Sequence, residues 1–229
     1  MGFKFFLLYV FYWIQLAGIY KNVVATDTSP TQLEYAVKLP NIIYQCTPPI
    51  MSISEVNQLV SSESNVDLVS IASAMHWFDL PTFYQQVKFV LKKPDGVIAA
   101  YSYRFPEINE KVDEMFHKML TVDVAPFMAP QANLIVRDKY TTIDFPFEAV
   151  DGLDHTGPFE FESKKMMNLE GYFTFVRSWS AYQTAKDKGV ELLSEDLVED
   201  FTRAWKEDGK TENVATFPIH LRIGKVGRI

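Results

Sequence analysis

Apolar and polar positions fall into short blocks along this chain, and the blocks alternate between buried-strand runs and helical spacing. Residues 66–80, VDLVSIASAMHWFDL, carry the pattern in its fullest form. An Asp opens a short apolar run that ends in Ala72, Ser73 and Ala74; a Met-His-Trp-Phe cluster follows, and Asp79 with Pro81 starts a helix. Strand, small-residue step, aromatic cluster and helix, in that order, describe one wall of a crevice at the carboxyl edge of an α/β sheet, where such sheets bind ligands. An ordinary buried strand-to-helix turn shows the same pattern, and the stretch alone favours neither reading.

The neighbouring blocks repeat the grammar. Residues 20–29, YKNVVATDTS, form a β-branched run ending in Asp27, with Ser29-Pro30 as a helix start. A helix is predicted over 30–39, stopping before Pro40, and a second extended run over 42–46. Ser52 and Glu55 have capping-box spacing for a helix to about Val60. Residues 81–92 place Phe83, Val87, Val90 and Leu91 on one helical face, and 97–103 form a strand beside the one in 66–80. Strand-helix units in series predict a parallel, helix-flanked sheet. Asp27, at a strand tip, has the position from which a carboxylate accepts ribose hydroxyls; a helix N-terminal acid has that position too.

Past Pro106 the pattern changes. Ile108, Val112, Met115, Phe116, Met119 and Leu120 trace a helix face, an irregular stretch spans 122–139, and 141–147 alternate as a strand. Residues 151–162 are loop-rich, 169–188 are helical, and 194–207 form an amphipathic helix with Leu197, Val198, Phe201 and Trp205 apolar. Arg177, among aromatics, could hold a carboxylate through two parallel bonds or could simply lie along its helix. Residues 217–226 alternate with Ile219, Leu221 and Ile223 inward, as expected of a last strand near an edge, in either direction. Gly224 and Gly227 make no phosphate loop, since no helix follows them.

Composition narrows the chemistry. With 229 residues the chain suffices for one large domain, or one domain and a cap. A net charge of -7 without a basic run argues against nucleic acid as a partner. One cysteine, Cys46, rules out an internal disulfide framework, and His76, His117, His155 and His220 are too scattered for a zinc motif. A cytoplasmic protein is the expectation, with one reservation. Residues 5–20, between Lys4 and Lys21, hold Gln15 as the only strongly polar side chain, and fall short of the roughly 20 apolar residues that a spanning helix needs. A helix over about 3–19, apolar all round, would seek a membrane or a partner.

Taken together, VVATDTS, the TPPIMS step, VDLVSIASAMHWFD, GVIAAYSY and the late VRSWSAYQ resemble the S-adenosylmethionine-dependent methyltransferases of the trans-aconitate methyltransferase-like group, within the type-11 superfamily. The resemblance runs from about Leu16 to the carboxyl end. It implies a class I, Rossmann-like fold: a seven-stranded, mostly parallel sheet with one reversed strand, flanking helices, and a cap built within about 106–210. It implies S-adenosyl-L-methionine as cofactor and a small-molecule acceptor, a carboxylate if the group's name is a guide. Asp27 would bind the ribose hydroxyls, Ile50 and Met51 would lie near the adenine, and Ala72 would approach the methionine part. Trp77 would attract the sulfonium. His76 would border the transfer site and serve as general base if the acceptor were a hydroxyl or amine. Arg177, Trp179 and Tyr182 would face the substrate.

One element of the family is absent. Its first strand and glycine-rich turn should precede the helix ending near Gly18, yet no glycine lies between Gly2 and Gly18. Backbone amides could not approach the cofactor there in the usual way, and the strands at 23–25 and 66–71 would each keep an open edge. Residues 1–15 therefore read as an atypical apolar segment ahead of a methyltransferase-like domain over 16–229. A truncated form of the enzyme is expected, or else a non-catalytic relative that meets a partner or a membrane through its apolar amino terminus.

Overall fold

The four strand runs read from the first half of the sequence all form, and they point their carboxyl ends the same way. The computed structural model describes residues 8–132, 138–207 and 209–228. Helix α1 (Leu8–Ile19) leads directly into β1 (Val23–Asp27), followed by α2 (Pro30–Glu34), β2 (Ile42–Cys46), α3 (Ile53–Leu59), β3 (Leu68–Ala72), α4 (Leu80–Val90) and β4 (Val97–Tyr103). The second half adds α5 (Glu110–Lys118), β5 (Phe159–Asn168), α6 (Leu169–Arg177), α7 (Ser180–Asp187), α8 (Glu195–Trp205) and β6 (Glu212–Lys225).

The strands form two sheets. β1 and β2 pair in parallel, while the other sheet has the order β3-β4-β6-β5, with β3 and β4 parallel and β6 antiparallel to both its neighbours. β5 therefore runs with β4, and β6 is the reversed strand. Among the described residues no strand pairs with the second edge of β1 or of β3. The fold is thus α/β with flanking helices, as the alternating blocks predict.

Local chemistry sets most boundaries. Ser52 and Glu55 form the expected capping box, Ser52 N donating to Glu55 Oε2 at 2.7 Å and Glu55 N to Ser52 Oγ at 3.2 Å. α2 ends at Glu34, short of the predicted 39: Lys38 Nζ reaches back to the Leu33 carbonyl at 2.6 Å, a partner that replaces the next helical amide. Asn41 Nδ2 donates to the carbonyls of Ala17 at 2.8 Å and Tyr20 at 3.1 Å, satisfying the end of α1. The edge of the Trp13 ring meets Tyr44 on β2, centroids 5.7 Å apart. Of the helix predicted over 3–19, the part before Leu8 lies outside the described residues, and no described helix is long and apolar enough to cross a membrane.

Predictions for the second half are corrected at several points. Residues 141–147 form no strand. Ile143 and Phe145 are buried, as their alternation suggests, but the backbone is held by side chains: Tyr84 Oη donates to the Asp144 carbonyl at 2.7 Å and Arg222 Nη2 to that of Ile143. β5 went unpredicted because nearly all of it is exposed and its sequence, FEFESKKMMN, carries no core signal. β6 is longer than expected and lies inside the sheet, and its phase is inverted: His220 and Arg222 are buried, while Ile219, Leu221 and Ile223 are half-buried. Alternation establishes which side chains share a face, and the packing of 143–148 decides which face is sealed. Gly224 permits that approach, because a Cβ there would stand 2.7 Å from the Phe147 Cβ.

Two apolar clusters result. One lies under α4 and residues 140–145, with Ile71, Met75, Val87, Leu91, Ile98 and Tyr140 at its centre. The other joins α5 to α8 over the far end of β6, around Phe116, Tyr172, Val176, Phe201 and Trp205. The helix predicted over 169–188 is broken at Ser178 and Trp179, where α6 ends and α7 begins.

Candidate functional site

The carboxyl ends of β1 to β4 open into one cavity of 530 Å³, roofed by residues from 120–132 and from the α6–α7 junction. The volume is in the range, roughly 300–1,000 Å³, that takes a drug-sized molecule. β1 brings Asp27 to the wall, the turn after β2 brings Ile50 and Met51, and the turn after β3 brings His76 and Trp77. The roof contributes Trp179. Ala72 is not part of the lining, although Ser73 and Ala74, the next two residues, are.

Asp27 is half-buried, and its Oδ1 accepts the Ser29 amide at 2.8 Å. Burial raises its pKa, while the amides of Ser29 and Thr28 act in the opposite direction. The carboxylate is thus oriented by its own loop at the wall of the cavity. Ser29 is the N-cap of α2, so strand tip, acid and helix start form one rigid unit.

At the end of β3 the chain takes a left-handed step at Ser73 (φ 44°), and a single tight turn, Met75–Trp77, follows. That turn puts Trp77 half in solvent at the mouth, 49 % exposed, and His76 at the back, 7 % exposed. The two rings lie 4.8 Å apart. His76 Nδ1 sits 3.2 Å from the hydroxyl of Tyr140, which is fully buried. Burial pushes the His76 pKa down to about 4, so the ring is neutral at physiological pH.

This burial has a measurable consequence. The unfolded chain takes a proton on this ring near the ordinary value of 6.5, the folded one only near about 4. The stability that comes from a neutral His76 is present in full above pH 6.5 and is lost as pH falls toward 4. Urea midpoints measured between pH 7.5 and 4.5 should therefore fall more steeply for the native chain than for His76→Gln; parallel curves would contradict the assignment.

The structure divides the three residues expected to face substrate. Trp179 lines the cavity, with its indole Nε1 buried and without a hydrogen-bond partner. Arg177 does not line it: as the last residue of α6 it pairs through Nη1 with Glu170, back along the same helical face, at 3.2 Å. Tyr182 is buried on α7 with its hydroxyl on Glu191, and it too is absent from the lining.

Arg104, which the sequence reading passed over, does line the cavity. It directly follows β4, and its Nε is buried without a hydrogen-bond partner. Its backbone amide is fixed to the Pro218 carbonyl at 2.8 Å. Sequence reasoning stopped at Tyr103. The rule that singled out residues 72–77, that ligand contacts gather just past the carboxyl end of a parallel strand, applies equally to the end of β4.

Comparison with known proteins agrees with this architecture. No family model matches the chain. A Dictyostelium discoideum protein provisionally assigned as a methyltransferase is 26 % identical over 217 residues, covering 93 % of this chain and 77 % of that protein. A solved structure from Anaeromyxobacter dehalogenans, provisionally assigned as a type II methyltransferase, superposes with a TM-score of 0.74 at 24 % identity, over 94 % of this chain and 85 % of that one. The fold is that of the class I methyltransferases, and the chain is a homologue of a methyltransferase-like protein.

Proposed function

We propose that this protein is an S-adenosylmethionine-dependent methyltransferase acting on a small anionic acceptor. The observation that carries the reading is the cavity that the ends of four strands share, with an oriented carboxylate and an unpartnered guanidinium nitrogen in the same lining. The homology to a methyltransferase-like protein supports it, as does the run of sequence motifs that resembles the trans-aconitate methyltransferase-like group.

The residues present suit the ribose, adenine and methionine parts of the cofactor, without the glycine-rich turn that the resemblance would add. The Asp27 carboxylate would accept ribose hydroxyls, Ile50 and Met51 would flank the adenine, and the Ala72–Ala74 step would leave room for the methionine part. Bound there, S-adenosylmethionine supplies an electrophilic methyl on a sulfonium. Trp77, half-exposed at the mouth, offers a ring face to that positive charge. Arg104 would hold the acceptor anion and Trp179 would cover it, excluding water. A carboxylate is already ionised at neutral pH, so orientation is the larger part of the task.

Calorimetric titration with S-adenosylmethionine tests this directly. The native chain should bind it, and Asp27→Ala should bind about 10- to 100-fold more weakly, as for loss of a charged hydrogen bond worth about 1.5–3 kcal/mol. A folded native chain that gives no heat would overturn the reading, and unchanged affinity in the variant would remove Asp27 from the site.

A further inference from the structure

Tyr140 lies outside the cavity, and none of the sequence motifs points to it. Yet its hydroxyl is the hydrogen-bond partner of the His76 ring among the described residues, at 3.2 Å from Nδ1. The cost of placing it there is visible in the backbone. Lys139 and Tyr140 are consecutive left-handed residues, φ 51° and 61°, a conformation unfavourable for a bulky side chain. The turn drives the phenol inward beneath the Met75–Trp77 turn until it is fully buried.

The direction of the bond follows from its neighbours. The backbone amides of His76 and Met75 act on the phenol oxygen electrostatically, in the direction that favours its charged form, and an amide N–H can only donate. The Ser102 Oγ, also fully buried, makes no hydrogen bond among the described residues. That leaves the Nδ1 lone pair, 3.2 Å away, to take the phenol proton, and an imidazole nitrogen is a strong acceptor. A neutral phenol is likewise a better donor to imidazole than an imidazole N–H is to a phenol.

We propose that Tyr140 is a positioning residue that donates to His76 Nδ1 and so fixes the ring with its proton on Nε2, making His76 a hydrogen-bond donor to an oxygen in the cavity and not a general base. A ring in this state has no free lone pair on the cavity side, since Nε2 carries the proton. It therefore cannot take a proton from a hydroxyl or amine acceptor. It can steady an oxygen that is already charged. This use of the ring rests on the methyl-transfer reading; the tautomer itself does not.

The test reads the tautomer without any ligand. In two-bond proton–nitrogen correlation spectra of the full chain at pH 7, labelled in histidine nitrogen, the His76 signals are assigned by their loss in His76→Gln. Nδ1 should show a pyridine-type shift and Nε2 a pyrrole-type shift. Tyr140→Phe, which removes only the hydroxyl, should move both toward the averaged values of an exchanging ring. A pyrrole-type Nδ1 in the native chain, or shifts unchanged in Tyr140→Phe, would overturn the proposal. Because no cofactor is present, failure here is distinct from failure to bind S-adenosylmethionine.

Discussion

Trp205→Ala is expected to lower the stability of the folded protein by about 3 to 5 kcal/mol, as large-to-small substitutions of a buried tryptophan do. Trp205 is 1 % exposed at the end of α8 and packs against Tyr172 with ring centroids 5.5 Å apart. Its indole Nε1 donates to the Thr211 carbonyl at 3.3 Å, and its own carbonyl accepts Asn213 Nδ2 at 3.0 Å. The side chain thus joins α8 to the start of β6 while filling the centre of the helical cluster. Tyr172, Phe201 and Phe116 surround the same space, so the cavity left by alanine has rigid aromatic walls that collapse little. Urea unfolding followed by tryptophan fluorescence and circular dichroism measures the loss. A change below about 1 kcal/mol would mean that α8 is not an integral part of the fold.

Arg222→Leu should cost about 3 kcal/mol or more, for a different reason. The guanidinium is nearly buried in β6 and sits over the Phe145 ring at 5.5 Å. It donates to the Gly157 carbonyl at 2.7 Å and to that of Ile143, tying two irregular segments to the sheet. Leucine fills similar space and removes both donors, leaving two carbonyls without their charged partner at about 1.5–3 kcal/mol each. Arg222→Lys should recover part of the loss, since a single ammonium cannot span both carbonyls as the planar fork does. Residues 140–143 are held through the same contact, so the leucine variant should also disturb the His76–Tyr140 bond and shift the His76 nitrogen resonances. Stability within 1 kcal/mol of the native chain would show that the two segments are held by other means.

Much of the first hundred residues was legible because the physics there is local. The runs ending at Asp27 and Cys46 are short and β-branched, Ser52 and Glu55 cap their helix with their own side chains, and 97–103 pairs on one side with its sequence neighbour 68–72. Asp27, Ile50, Met51, His76 and Trp77 follow such strands by a few residues, which is why they reach one cavity. Ala72 falls a residue short of the lining. Arg177 and Tyr182 were expected to face substrate through the resemblance of VRSWSAYQ. In the fold their polar ends go instead to Glu170 and Glu191, on either side of the junction at Ser178 and Trp179. That junction depends on how α6 and α7 pack on the cluster beneath them, and helical periodicity carries no trace of it.

The sequence by itself determined the α/β class, the four co-directional strands and the position of the acid and the aromatic turn at their ends. Spacing, capping and strand-end rules act over fewer than about ten residues, so they can be read without coordinates. Only the tertiary structure decided that Arg104, and not Arg177, meets the cavity; that β6 buries His220 and Arg222; and that Tyr140 stands behind His76. Each of these joins residues far apart in the chain, 64 positions for Tyr140 and His76 and 79 for Arg222 and Ile143. Contacts at such separations are chosen by the packing of whole elements, and no local pattern along the chain records them.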